Sequence, residues 1–331
     1  MSYAFIELGL FTAKAIIIVV SILIILIMFF MLLTKGKIKQ KGRLVIKNLN
    51  ERYDDYKITL LTETLSKKLL KLFFKEKKAQ EKTEKKSALE KKKIYVLNFV
   101  GDIKASATAN LREEITSILS VATSNDEVVL RLESPGGVVY GYGFAAAQLM
   151  RLRAKNIRLT VFVDKVAASG GYMMAVVANK IFCSPFAIIG SIGVVMQLPN
   201  FNRLLKEKHI DFEQHTAGEF KRTLTVFGEN TDEGRQKMQH ELEDIHNQFK
   251  QLIKQHRPEL DIQKVATGEH WTGQQALQLQ LVDELKTSDE YLFEQHSNAQ
   301  IFEICYEIKK SLSSKLGGAA NKIVTRLLEF L

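Results

Sequence analysis

Hydrophobic and polar positions change their rhythm several times along this chain. Residues 15–33 are almost wholly apolar, with Ser21 the single polar side chain. A run of about 20 such residues is what a helix needs to cross a bilayer. Phe29-Phe30-Met31-Leu32-Leu33 passes straight into Thr34-Lys35, without a small-residue cleavage site, so the pattern predicts an uncleaved anchor. Further on, Leu61, Leu65, Leu69, Leu72 and Phe73 recur at helical spacing with lysines between them. That is an amphipathic helix, suited either to anionic lipid or to a partner subunit. Residues 75–93 hold almost no hydrophobic side chain and neither Gly nor Pro, the pattern of a charged linker or a solvated helix.

From Ile94 the period turns globular. Residues 94–100, 128–132 and 158–163 are β-branched and aromatic runs, and helical patterns follow them at 111–121, 143–152 and 172–178. Three strand–helix repeats predict an α/β domain with a largely parallel sheet. Short strands are expected at 180–183, 188–195 and 210–215, and a helix at 201–208. A long helix, begun near Thr231 and stopped by Pro258, carries Met238, Leu242, Ile245, Phe249 and Leu252 on one face. A strand at 301–306 and an amphipathic tail with Ile323, Leu327 and Leu328 close the chain. The expected domains are therefore an anchor segment (1–34), a basic linker region (35–93), a catalytic α/β domain (94–300) and a C-terminal strand and helix (301–331).

Charge refines this picture. The net charge of +10 over 331 residues is concentrated before residue 95, which points to a membrane surface and not to nucleic acid. Lys35, Lys37, Lys39, Lys41, Arg43 and Lys47 follow the apolar run, and only Lys14 and the N-terminal amine precede it. The positive-inside rule then places the bulk of the chain in the cytoplasm. Cys183 and Cys305 sit in apolar runs and read as buried thiols; with no CxxC and no HExxH, no metal site is expected.

Candidate chemistry gathers at small residues. Ala167-Ala168-Ser169-Gly170-Gly171 joins a predicted strand to a predicted helix. A serine at such a corner has the logic of a nucleophile elbow, and equally that of a helix N-cap. Glu133-Ser134-Pro135-Gly136-Gly137 follows another strand; its N–H groups suit an oxyanion hole, and its composition suits a tight turn. None of the seven histidines lies in a motif. Lys221, in Gly218-Glu219-Phe220-Lys221, can act as a base only if an apolar site lowers its pKa. Gly141-Tyr142-Gly143-Phe144-Ala145-Ala146 fits a dinucleotide fingerprint, with Asp164 near the expected distance. That fingerprint should open directly from its strand, whereas here the Ser-Pro-Gly-Gly turn intervenes, so the glycines are assigned to helix packing.

Ala167-Ala-Ser-Gly-Gly171, Ser134-Pro-Gly-Gly137, Gly190-Ser-Ile-Gly-Val194 and Gly218-Glu-Phe-Lys221 together resemble the signal peptide peptidase A family of membrane serine peptidases, most closely its SohB branch. Trp271-Thr-Gly-Gln-Gln-Ala276 and Leu281-Val-Asp283 resemble a later family segment. The resemblance implies a Clp/crotonase-like fold and a Ser–Lys dyad. Ser169 would be the nucleophile and Lys221 the general base, with Ser191 helping to hold the lysine. The Gly137 and Gly170 N–H groups would form the oxyanion hole, and Gly136 would shape the turn. Two positions depart from the family pattern: Gln280 stands where glycine is common, and Met173-Met174 replace more usual aromatic or aliphatic residues.

The same resemblance implies no metal or nucleotide cofactor, hydrophobic peptides or membrane-protein fragments as substrates, and a homo-oligomeric ring at the bacterial inner membrane. The family's better-known branch works outside the cytoplasm, opposite to what the charge predicts. Two other readings remain: a non-catalytic membrane scaffold of the same fold, and an acyl-CoA enzyme of crotonase type, which would leave both anchor and Lys221 without a role.

Overall fold

The computed structural model describes residues 9–12, 14–22, 42–87, 91–218 and 220–308. The chain divides into two compact units, Met1–Arg43 with Glu307–Leu331, and Leu44–Tyr306. In the first unit, residues 9–12 and 14–22 are helical and exposed. Among the described residues no helix is long and apolar enough to cross a membrane. The apolar run at 15–33 continues outside them from residue 23, and the amphipathic tail expected around Ile323 lies outside them altogether.

The larger unit opens with β1 (Arg43–Asn48), α1 (Leu49–Thr64) and α2 (Lys67–Ser87). Then come β2 (Lys93–Val100), α3 (Thr108–Leu119), β3 (Glu127–Glu133), α4 (Val139–Ala154), β4 (Arg158–Val163), β5 (Val166–Ala168) and α5 (Gly170–Ala175). After β6 (Lys180–Cys183) and β7 (Ile188–Gly190) follow α6 (Asn202–Glu207), α7 (Asp232–His256) and α8 (Ile262–Val265). The unit closes with β8 (His270–Thr272), α9 (Gly273–Gln278), β9 (Glu284–Leu285), α10 (Ser288–Gln295) and β10 (Gln300–Glu307).

The predicted α/β class is what the structure shows. Seven strands form one sheet in the order β1-β10-β2-β3-β4-β6-β9, and every pairing from β10 to β9 is parallel. A second sheet, β5-β7-β8, pairs β5 with β7 in parallel and β7 with β8 antiparallel. The central strands are covered on both faces, which explains their unbroken apolar runs. Leu97, Leu130 and Val161 pack on one side with Ile115, Leu149 and Tyr172. Val96, Val129 and Phe162 pack on the other with Leu49, Leu292 and Ile301.

Several boundaries need correction. The globular unit starts at Leu44, not at Ile94: β1 joins the sheet through β10, and Leu49 is only 1% exposed. Asn50 holds this junction, donating to the His296 and Ala299 carbonyls (2.6 and 2.9 Å) and accepting from the Ile301 N–H (2.7 Å). A pairing across some 250 residues leaves no local trace in a basic segment. The helix expected through Leu61–Phe73 breaks at Leu65-Ser66 into α1 and α2, and of the two readings of residues 75–93 α2 bears out the helix as far as Ser87. The strand expected at 210–215 is irregular backbone. The one expected at 188–195 stops at Gly190, because Gly190 (φ 108°) and Ser191 (φ 53°) both leave the extended region. The long helix is α7 as expected, capped by Thr231, whose hydroxyl accepts from the Gly234 N–H (3.1 Å). Gln280 sits at φ 62°, the left-handed region where glycine is least strained, which accounts for the glycine common there.

Glu114 of α3 is 5% exposed and accepts from the Tyr306 N–H (2.8 Å) near the end of β10. Burial pushes its carboxyl up to about 7, against a partial opposing pull from that hydrogen bond. An ordinary glutamate titrates near pH 4.3. Between these values the folded chain binds the extra proton, so stability falls as pH rises from about 4.5 to about 7. Glu114→Gln is expected to flatten this slope, worth on the order of 3 kcal/mol in full, in urea unfolding curves taken across that window.

Candidate active site

Ser169 sits between β5 and α5 at φ 51° and ψ −118°, a backbone conformation that L side chains rarely adopt. Such strain persists only where neighbours over-determine it. Here they do. The Ser169 N–H donates to the Gly190 carbonyl (2.7 Å), and its own carbonyl accepts from the Met173 N–H (2.9 Å). On the preceding side, the Ala168 N–H donates to the Ser134 carbonyl (3.0 Å) and the Ser134 N–H to the Val166 carbonyl (2.8 Å). The sequence left two roles open for Ser169, cap and elbow. The Ser169 side chain makes no cap hydrogen bond and has no hydrogen-bond partner among the described residues, and the backbone is that of an elbow.

The Ser134–Val138 turn lies directly against this corner. Gly136 has φ 94°, and a Cβ there would meet the Ala168 carbonyl oxygen (2.7 Å) and the Gly170 nitrogen (2.8 Å). A Cβ on Gly137 would run into the Ile103 carbonyl, and one on Gly170 into the Tyr142 ring. The Gly137 and Gly170 N–H groups donate to no acceptor among the described residues; Gly170, as the first residue of α5, has no intrahelical partner in any case. Both line one cleft with Ser169 and Ser191, of about 270 Å³, walled by Val139, Met173, Val194, Val195, Ile245 and Phe249. Ser191 reaches it through the same β7 end that binds Ser169, its N–H donating to the Glu269 carbonyl (2.6 Å). Trp271 backs that end, pairing with Ile189 and lying where a Gly190 side chain would be.

Five of the six expected site residues therefore come together: Ser169, Ser191, Gly136, Gly137 and Gly170. Lys221 does not join them. It is exposed on the irregular stretch after α6 and lines a separate groove with Phe212, His215, Leu224 and Phe227. Among the described residues, no Asp, Glu, Lys, Arg or His lines the serine cleft. The dinucleotide alternative fails on geometry, since β3 ends at Glu133 and α4 opens only at Val139. Gly141 is a packing glycine, with the Lys104 carbonyl 2.9 Å from where its Cβ would be. Sequence reasoning missed Tyr142, which sits inside that discarded motif, and the wall that α7 supplies through Ile245 and Phe249.

Models of two halves of one family match this chain: "Peptidase family S49 N-terminal" over residues 4–149 and "Peptidase family S49" over residues 151–301. The chain belongs to peptidase family S49. It is 54% identical over 299 residues to a "Probable protease SohB" of Haemophilus influenzae, covering 87% of this chain and 85% of that one. A second, from Buchnera aphidicola of Schlechtendalia chinensis, is 47% identical over 304 residues, covering 88% and 98%. Among solved structures, a mutant of the 1510-N membrane-bound stomatin-specific protease in complex with a substrate peptide aligns at 15% identity and a TM-score of 0.44, covering 70% of this chain and 99% of that one. The chain is a SohB-like S49 protein, and the Ser169 corner is where its peptidase chemistry is sought.

Gly136→Ala forces a side chain into a positive-φ position already filled by backbone. The expected outcome is a folded protein with a lower urea midpoint, by roughly 1–3 kcal/mol of strain. Peptide hydrolysis should fall about 100-fold or more as the neighbouring donors shift.

Proposed function

We propose that this chain is a membrane-anchored serine endopeptidase of the S49 family that uses Ser169 as nucleophile and Lys221 as general base. The observation that carries this reading is one cleft that holds the hydroxyl of a strained serine beside two glycine N–H groups, all three without a hydrogen-bond partner among the described residues. Neutral Lys221 takes the Ser169 proton as the hydroxyl attacks a peptide carbonyl. The developing oxyanion is held by the Gly137 and Gly170 N–H groups, which are already in place and need no reorganisation. Protonated Lys221 then gives its proton to the leaving amine, and water hydrolyses the acyl-enzyme by the same route. Neither metal nor nucleotide takes part.

For Lys221 to serve Ser169, the stretch carrying it must lie across the serine cleft. Within one chain the two residues line different cavities, so the dyad is completed when that stretch is repositioned or when a neighbour in a homo-oligomeric ring supplies it. The apolar wall of the cleft suits hydrophobic peptides, such as released signal peptides or membrane-protein fragments. The run at 15–33 supplies a single-pass anchor in the bacterial inner membrane, with lipid contacts from the basic segment after it. The flanking lysines favour the cytoplasmic side for the catalytic unit.

The separate position of Lys221 is the one observation that favours a non-catalytic scaffold instead. Hydrolysis of a quenched peptide library by the detergent-solubilised full chain separates the two. Ser169→Ala and Lys221→Ala are each expected to lower the rate by at least about 1,000-fold with folding and assembly intact. Ser191→Ala is expected to retain partial activity, because it removes a support of the lysine and leaves both named catalytic groups in place. Hydrolysis that survives Ser169→Ala would remove the named nucleophile.

A further inference from the structure

Beneath the cleft lies a buried polar chain for which the mechanism above has no use. Ser134 and Tyr142 are both fully buried, at 0% exposure. The Gly136 N–H donates to Ser134 Oγ (3.1 Å), Ser134 Oγ and Tyr142 Oη are 2.6 Å apart, and the Tyr142 hydroxyl donates to the Asp102 carbonyl (2.8 Å). A carbonyl only accepts, so the single Tyr142 proton is committed to Asp102 and the Ser134 hydroxyl must donate to Tyr142. The direction of the whole chain follows: Gly136 N–H to Ser134, Ser134 to Tyr142, Tyr142 to Asp102. Every member is satisfied, which is the condition under which a buried polar network rigidifies its surroundings.

The same tyrosine touches the other half of the cleft. A Cβ on Gly170 would meet Tyr142 Cβ (2.8 Å) and Cδ2 (2.7 Å), so the ring lies flush against the first residue of α5. The loop after β2 closes the arrangement: the Val138 N–H donates to the Ile103 carbonyl (2.8 Å), and the Gly101 N–H to the Glu133 carbonyl (2.8 Å). We infer that Tyr142, acting with Ser134, is a positioning residue that fixes the spacing between the Gly137 and Gly170 N–H groups. The hydroxyl holds the turn that carries Gly137 and the ring holds the helix start that carries Gly170. This inference rests on those two groups being the oxyanion donors. Tyr142 touches neither substrate nor Ser169 chemistry. Its effect is confined to geometry, where an error of about 1 Å costs on the order of 100-fold in rate.

The test uses the full chain in detergent and reads kcat and KM for peptide hydrolysis together with the rate at which a fluorophosphonate labels Ser169. Labelling titrates the active sites, so kcat is expressed per competent serine and partial unfolding does not enter. Tyr142→Phe keeps the ring and deletes the hydroxyl. It is expected to lower kcat and the labelling rate about 10- to 100-fold with KM within about 2-fold, since both reactions place an oxyanion against the same donors. Ser134→Ala should behave alike, and the double variant no worse than either single one, because the two act as one chain. Ser134→Ala carries the test if Tyr142→Phe does not fold. Tyr291→Phe is the control: it removes another tyrosine hydroxyl, bonded to buried Glu127 (3.1 and 3.0 Å), among the side chains packed on the other face of the sheet. It should cost stability and leave kcat per labelled site unchanged. Wild-type kcat in Tyr142→Phe, or an equal loss in Tyr291→Phe, overturns the inference alone. A wild-type chain that is neither labelled at Ser169 nor hydrolytic removes the functional reading and the inference with it.

Discussion

Everything at the candidate site depends on two backbone segments approaching more closely than side chains allow. The Ser134–Val138 turn and the Ser169–Gly171 corner are in direct contact, with the Ala168 carbonyl and the Gly170 nitrogen occupying the space a Gly136 side chain would need. On the far side, the Ser134 carbonyl lies 2.5 Å from where a Gly171 Cβ would project. Glycine supplies this proximity at a cost in chain entropy that a loose loop could not recover. Here the cost is offset because the turn leaves β3, paired in parallel with β4 in the large sheet, and the corner leaves β5, paired in parallel with β7 in the second sheet. The parallel Ser134–Ala167 bridge joins the two at the edge of the cleft.

The two sheets thus act as the reference frame for the candidate site. β3 delivers the turn, and β5, held against β7, delivers the serine. α5 starts at the cleft and runs away from it into the core through Tyr172, whose hydroxyl donates to the Leu281 carbonyl (2.9 Å). Catalytic groups on such rigid elements are held more precisely than groups on loops, and a preformed donor pair has value only when it is rigid. The exposed, irregular stretch that carries Lys221 is the opposite case. Residues 208–230 include no buried side chain among those described, so the position of this stretch costs less to change.

What the sequence by itself determined is what short-range chemistry controls. Three strand–helix repeats, the long helix from Thr231 to Pro258 and the two glycine-flanked turns were legible because periodicity and turn residues act over a few positions. The residue types required at the cleft were legible for the same reason: only small side chains fit there, so Gly136, Gly137, Ser169 and Gly170 announce themselves. Tertiary structure decided what depends on distant pairing. It brought β1 to the sheet through β10, put Ser191 beside Ser169 by ending β7 at a left-handed residue, and turned Tyr142 inward beneath the turn. It also left Lys221 in its own groove, away from the serine it was expected to serve. Motif order along a chain records which groups a site contains. Their distances are set by packing between residues tens or hundreds of positions apart, which no local pattern encodes.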